Sequence, residues 1–299
     1  MAIIYFFYLK KIEMNILKII FKKMVKFDIY KYIDSLPDDI DEIDVSFKKL
    51  NYLPDLSRFK KLETLFCYNN KLTSLPVLPE NLKMLYCHFN ELTLLPNLPE
   101  NLKVLNCKYN KLTSLPVLPE NLETLNCSNN NLTSLPILPE NLKILYCCFN
   151  KLTSLPVLPE NLETLNCSNN NLTSLPILPE NLKLLNCCFN KLTSLPILPE
   201  YLERLYCYNN KLRSLPVLLE NLIELLYYNN PIYDIIKNNN LNIKKNIKTW
   251  NNFRYLYYCL KYRKRFLRMM EPVIKKRYHP SYLYDLKEDD DLDEKLGAW

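Results

Sequence analysis

The sequence predicts a solenoid of stacked coils, with a continuous parallel β-sheet on the concave side, an extended or polyproline-II convex side, and a helical cap at each end. Three observations carry that expectation. Eight uninterrupted units of twenty residues begin at Leu62, Leu82, Leu102, Leu122, Leu142, Leu162, Leu182 and Leu202, each close to LxxLxCxxNxLTSLPxLPEN. Apolar residues alternate around positions 4 to 6 of every unit, which is the period of a strand. The second half of most units holds two prolines, which fix φ, remove donors and oppose helix.

A single coil cannot bury its apolar edge alone, so neighbours must stack, and stability becomes a sum of nearest-neighbour interfaces. A 22-residue unit from Ile40 precedes the regular eight and a shortened one from Leu222 follows, giving about ten coils over residues 40–235. Position 9 is Asn in nine successive coils, from Asn70 to Asn230. An amide both donates and accepts, so a stacked Asn column can satisfy the backbone groups exposed where each strand turns away. The chain has one glycine, Gly297. The Asn at position 20 (Asn81 through Asn181, and Asn221) is therefore expected to take the awkward turn conformation.

Eight cysteines recur every twenty residues from Cys67 to Cys207. In-register strands lie about 4.8 Å apart with equivalent side chains pointing the same way. Such a column suits core packing, not disulfides, and it does not converge as zinc ligands do. It points to a reducing compartment. Cys148 and Cys188, at position 7, are expected to face solvent.

The phrase LTSLPxLPENLxxL resembles the short leucine-rich repeats of bacterial secreted effectors, a family that includes leucine-rich repeat ubiquitin ligases. The whole chain, with its abundant Asn, Lys and Ile and its tail MEPVIKKRYHPSYLYDL, also resembles leucine-rich repeat proteins of giant amoeba-infecting DNA viruses of the Mimivirus kind. The first resemblance implies the leucine-rich repeat fold and a role in binding proteins. The second implies a viral protein acting inside the host cell, in its cytoplasm or packaged in a virion. The ligases add a large helical domain whose catalytic Cys is followed two residues on by an acid. Here the only Cys outside the repeats is Cys259, in YYCLKY, so that motif is absent.

The ends divide the chain further. Residues 1–39 are expected to form an N-terminal helical cap, with Ile12, Ile16, Ile19, Ile20, Met24 and Phe27 at helical spacing over 11–33; a basic amphipathic face on a membrane is the competing reading. The first apolar run is too short to span a bilayer. Residues 236–280 read as a basic, aromatic helical C-terminal cap and 281–299 as an acidic, disordered tail. Of the formal charge of +7, the surplus sits here: residues 236–299 carry 15 Lys/Arg against 8 acids. Lys261, Arg263, Lys264, Arg265 and Arg268 are the candidate contacts to nucleic acid or anionic lipid, against the alternative of a solvated face on a cap.

Chemistry has little to build on. Two histidines, His88 and His279, give no basis for a histidine-centred catalytic set. A single glycine excludes a glycine-rich phosphate loop. No catalytic residue, metal or cofactor is expected.

What remains is a surface. Positions 3, 5, 7 and 8 should form columns on the concave sheet in which aromatics and Asn dominate, a composition suited to protein recognition. Position 8 has a competing reading, in which its Phe and Tyr tuck beside the Asn column as core. The expected contacts are Phe66, Tyr68, Tyr86, His88, Tyr146, Tyr206, Tyr208 and Tyr228. The sequence thus predicts a non-enzymatic, monomeric scaffold or adaptor for a protein partner. Two alternatives stay open: a structural or decoy repeat protein without a specific partner, and polyanion binding through the C-terminal segment.

Overall fold

Ten three-residue strands define the architecture of the protein in a computed structural model that describes residues 27–218 and 221–236. They are β1 (Glu42–Asp44), β2 (Thr64–Phe66), β3 (Met84–Tyr86), β4 (Val104–Asn106), β5 (Thr124–Asn126), β6 (Ile144–Tyr146), β7 (Thr164–Asn166), β8 (Leu184–Asn186), β9 (Arg204–Tyr206) and β10 (Glu224–Leu226). All pair in parallel, in chain order, to make one sheet. The register advances one unit at a time, as in Leu85↔Leu105 and Leu105↔Leu125, with the longer first coil absorbed between Ile43 and Leu65.

The strands are short because only their central residue and the Cys after the strand point inward. Leu65, Cys67 and their counterparts down to Leu205 and Cys207 have no exposed surface, and Leu at positions 1 and 11 joins them in a continuous core. From Thr93 to Leu98, and at the same positions of the next coils up to Leu198, no N–H donates to another backbone carbonyl. That is the pattern of an extended chain whose backbone is left to water, as the prolines predict.

The Asn column acts as the sequence suggests. Asn90 accepts from the Leu72 N–H at 3.0 Å and donates to the Cys67 and Cys87 carbonyls, both at 3.0 Å, so one amide clasps two coils. The same pattern recurs along the column to Asn230, which takes the Leu212 N–H at 3.0 Å.

Position 20 does something different from the expectation. Its Asn side chain donates to a carbonyl one coil back, as Asn121 does to Glu100 at 2.9 Å and Asn141 to Glu120 at 2.9 Å. The left-handed turn falls instead at position 8, with φ between 51° and 55° from Asn69 to Asn229. The chain reverses there, three residues past the strand, while the N–H groups of positions 8 and 9 still donate to the next coil, and the position 20 amide is free to tie the return sides together.

At the N-terminal end, α1 (Ile29–Asp34) buries Ile29 and Ile33. Asp28 caps it by accepting from the Lys31 N–H at 3.2 Å, which satisfies an orphan donor of the first turn. One helix therefore does not run through Phe27 to Ile33; the rest of the predicted 11–33 helix lies outside the described residues. Arg58, in the first coil, holds α1 in place: its guanidinium meets Asp38 at 2.7 Å, donates to the Ile33 and Leu36 carbonyls, and lies 4.4 Å over the Phe59 ring. At the other end α2 (Pro231–Ile236) replaces the return half of the last coil, with Pro at the first helical position where no donor is needed. The predicted cap beyond residue 236 and the acidic tail lie outside the described residues.

Candidate protein-binding face

Strand alternation turns positions 3 and 5 outward, and positions 7 and 8 continue the same face as the chain leaves the sheet. The aromatic residues there fall into two clusters. In the first, Phe66 and Tyr86, opposite one another in β2 and β3, stack with ring centroids 5.0 Å apart and planes at 18°. Tyr68 and His88 stack at 4.5 Å and 6°, Phe89 and Tyr109 at 4.4 Å and 10°, and Phe47 meets Tyr68 edge-on at 5.3 Å.

In the second cluster, Tyr208 stacks on Tyr228 at 4.4 Å, and Phe189 meets Tyr208 edge-on at 5.4 Å. The Tyr206 hydroxyl donates to the Glu224 carboxylate at 2.6 Å. Tyr146 belongs to neither cluster; its in-register neighbours are Asn126 and Asn166.

Rings stacked on each other along the solenoid offer their edges and hydroxyls to a ligand, not their faces. Nucleobases stack on ring faces, so the arrangement suits protein contact better than nucleic acid. The packing also corrects the picture of free-standing anchors. Phe66, Tyr68, Tyr86, His88, Tyr146, Tyr206 and Tyr208 are half-buried, and of the eight expected contacts only Tyr228 is exposed.

The face is nearly uncharged. His88 Nδ1 is buried and has no hydrogen-bond partner among the described residues. Burial first, and then the Lys108 charge, pushes its pKa down to about 4, so the ring is neutral near neutral pH. The Tyr206 hydroxyl is held above the usual tyrosine range by its hydrogen bond to Glu224 and then by burial, and burial leads in pushing Tyr208 up to about 12. Both stay protonated donors.

Position 8 resolves against the core reading. Phe89, Tyr109, Phe149 and Phe189 are 40 to 53% exposed, each with φ between 51° and 54°. Sequence reasoning underweighted them, although the signal was present: Asn69, Asn129, Asn169 and Asn209 share their column, and Asn is the residue that tolerates left-handed backbone. Position 7 goes the other way for Cys188. Its side chain is buried beside Tyr208 and the thiol is pushed up to about 12, chiefly by burial, so it is no exposed nucleophile. Cys148 is half-buried, its Sγ 3.1 Å from Ser128 Oγ.

The polyanion candidates Lys261, Arg263, Lys264, Arg265 and Arg268 lie outside the described residues. Among the described residues, no helix is long and apolar enough to cross a membrane.

Two family models, described as Leucine Rich repeats (2 copies) and Leucine Rich Repeat, match residues 120–160 and 161–180. Among solved structures, YopM from Yersinia enterocolitica WA-314 is 41% identical over 66% of this chain and 43% of its own, with a TM-score of 0.64. The array has the leucine-rich repeat fold. YopM from Yersinia pestis, a leucine-rich effector protein, is 39% identical over 66% of this chain and 56% of its own, also with a TM-score of 0.64. A leucine-rich repeat protein from Bacteroides eggerthii DSM 20697, 21% identical over 67% of this chain and 41% of its own with a TM-score of 0.52, shares the fold. The chain thus spans about half the length of the two Yersinia proteins or less. No curated protein matches it by sequence. The leucine-rich repeats account for the inward Leu, Cys and Asn positions; the outward aromatics are left for function to explain.

Proposed function

We propose that the protein is a non-enzymatic scaffold or adaptor that holds a protein partner on the outer face of its repeat sheet. One observation carries this reading: large aromatic side chains stand exposed at backbone positions that disfavour them. Left-handed backbone costs a residue with a Cβ about 1–2 kcal/mol, and a bulky side chain there is an outlier. Five other coils place Asn at that position, Asn69, Asn129, Asn169, Asn209 and Asn229. Neither the turn nor the core has use for Phe89, Tyr109, Phe149 or Phe189; a contact does, because stiff rings give large area at low entropic cost.

The two aromatic clusters, centred on β3 and β9, are six coils apart, about 29 Å at 4.8 Å per strand. That span suits a folded partner domain touching both. The Yersinia pestis relative, described as an effector, supports a role exercised through binding. The periodic core thiols favour a reducing, intracellular setting, and we read the host cytoplasm as the place of action.

The test uses substitutions that the repeat itself already tolerates. A Phe89→Asn, Phe149→Asn, Phe189→Asn variant restores the neighbouring coils' residue, so it should fold normally. Affinity capture from host cells should enrich a small reproducible set of proteins with the natural chain and lose that set with the variant. Undiminished capture by the variant defeats the reading.

A further inference from the structure

The return side carries a second feature that the sheet face does not explain. Position 16, directly after the proline at position 15, is Val or Ile in seven of eight regular coils, and every one is at least 76% exposed. Val117, Ile137, Val157, Ile177, Ile197 and Val217 are consecutive, so the in-register stacking aligns them in one uninterrupted apolar ridge. The fold does not need them apolar, since the coil from Leu82 has Asn97 there. Contiguous exposed apolar surface of this kind marks an interaction site.

Three residues on, position 19 is Glu in every described regular coil from Glu80 to Glu200, and all of these are exposed. None of these carboxylates takes part in an ion pair among the described residues, whereas three position 2 glutamates, Glu63, Glu123 and Glu163, pair with lysines one coil on, as Glu163 does with Lys183 at 2.8 Å. At about 5 Å spacing, neighbouring glutamates repel one another along the column. The other flank, positions 12 and 13, is mostly uncharged Thr and Ser. The ridge is therefore apolar along its crest and acidic along one side.

We propose that this ridge docks a basic amphipathic helix of a partner protein, independently of the sheet face. Charge selects the occupant. A second copy laid antiparallel, ridge to ridge, would oppose two glutamate columns, and a parallel copy would bring no positive charge to either column. A cationic partner relieves the repulsion along the column. The spacing selects the helix: one turn rises 5.4 Å, close to the roughly 4.8 Å between coils. A helix of about 16 residues parallel to the stacking direction matches the run from Val117 to Val217. Its apolar residues at i, i+3, i+4 and i+7 would follow the Val and Ile crest, while lysines on one flank meet the glutamates.

The experiment uses the full-length protein and a fluorescent 18-residue peptide with Leu at i, i+3, i+4, i+7 spacing and Lys elsewhere, followed by anisotropy. Two controls are a peptide of identical composition in scrambled order and one with Glu for every Lys. The patterned Lys peptide should bind at least tenfold more tightly than either. An Ile137→Ser, Ile177→Ser, Ile197→Ser variant and a Glu140→Gln, Glu160→Gln, Glu180→Gln variant should each weaken it at least tenfold with unfolding midpoints unchanged. The Phe→Asn variant of the sheet face should bind it normally. Equal binding to the Ser variant, equal binding of the scrambled peptide, or loss of binding in the Phe→Asn variant overturns the proposal. So does a concentration-dependent dimer abolished by the Ser variant, which would assign the ridge to a second copy.

Discussion

The side-chain oxygen of Asn150 accepts the backbone N–H of Leu132, eighteen residues earlier, at 3.0 Å. The same amide donates to the carbonyls of Cys127 at 3.0 Å and Cys147 at 3.1 Å, which also accept from Asn130 and Asn170, so Asn150→Leu orphans the Leu132 N–H and strips each carbonyl of one of its two donors. The orphaned donor costs about 1–3 kcal/mol, and each lost carbonyl bond about 0.5–1.5 kcal/mol. The expected loss of stability is about 2–4 kcal/mol in urea unfolding. Hydrogen exchange should quicken most at the Leu132 amide and least in distant coils, because stability in a stack is a nearest-neighbour property.

Burial raises all eight position 6 thiols above the ordinary value of 9.0, with Cys167 pushed up to about 12. The sign follows from linkage. A raised thiol stays protonated in the native state while the unfolded state loses its proton, so native binds more protons and stability falls as pH rises. The contribution is intact below about pH 8.5 and is lost from there toward pH 12. Each thiol contributes a slope of about 1.4 kcal/mol per pH unit in that window. The protein should unfold steeply in mild alkali. The first coil already carries Val45 at this position; Cys127→Val, Cys147→Val, Cys167→Val should make the slope shallower by roughly three-eighths, measured as urea midpoint against pH.

Phe149 sits at φ 54° and is 53% exposed. Replacing it by Asn relieves left-handed strain while removing little core, so the single Phe149→Asn variant should be more stable by about 1 kcal/mol. A loss of stability would mean the ring packs more than it strains.

Arg58→Ala removes the link to Asp38 and two carbonyl contacts at the end of α1. Hydrogen exchange of Ile33 and Ser35 amides should accelerate tenfold or more, with the amides of the central coils unchanged. Total stability should fall by about 1–3 kcal/mol.

How much of this was legible depends on how local each rule is. Asn at position 9 and Cys at position 6 were readable because one residue type returns every twenty positions and a single chemical need explains it. The left-handed position was hidden because Phe and Tyr share its column with Asn, and rings in an apolar-rich repeat read as core. The position 20 amides were assigned to a turn because their acceptors lie 21 residues back, as at Asn121 and Glu100. The Val and Ile ridge escaped for a simpler reason: between two prolines, an apolar residue gives no periodic clue to whether it points in or out. Arg58 depends on partners 20 to 25 residues away that no repeat pattern encodes. Tyr206 and Tyr208 were found as surface residues, but their coupling to Glu224 and Tyr228 across strands needed the register.

Residues 122–141 and 162–181 are identical, and in the sheet their strands β5 and β7 lie between the two aromatic clusters. Deleting 122–161 would therefore regenerate the junction that already exists at residues 121 and 122, with no new sequence at the joint. Two coils fewer brings the clusters about 10 Å closer. The copied stretch works as a caliper: recombination between sister repeats resets the gauge in whole-coil clicks, and the jaws at either end arrive unaltered, ready for a partner of another girth.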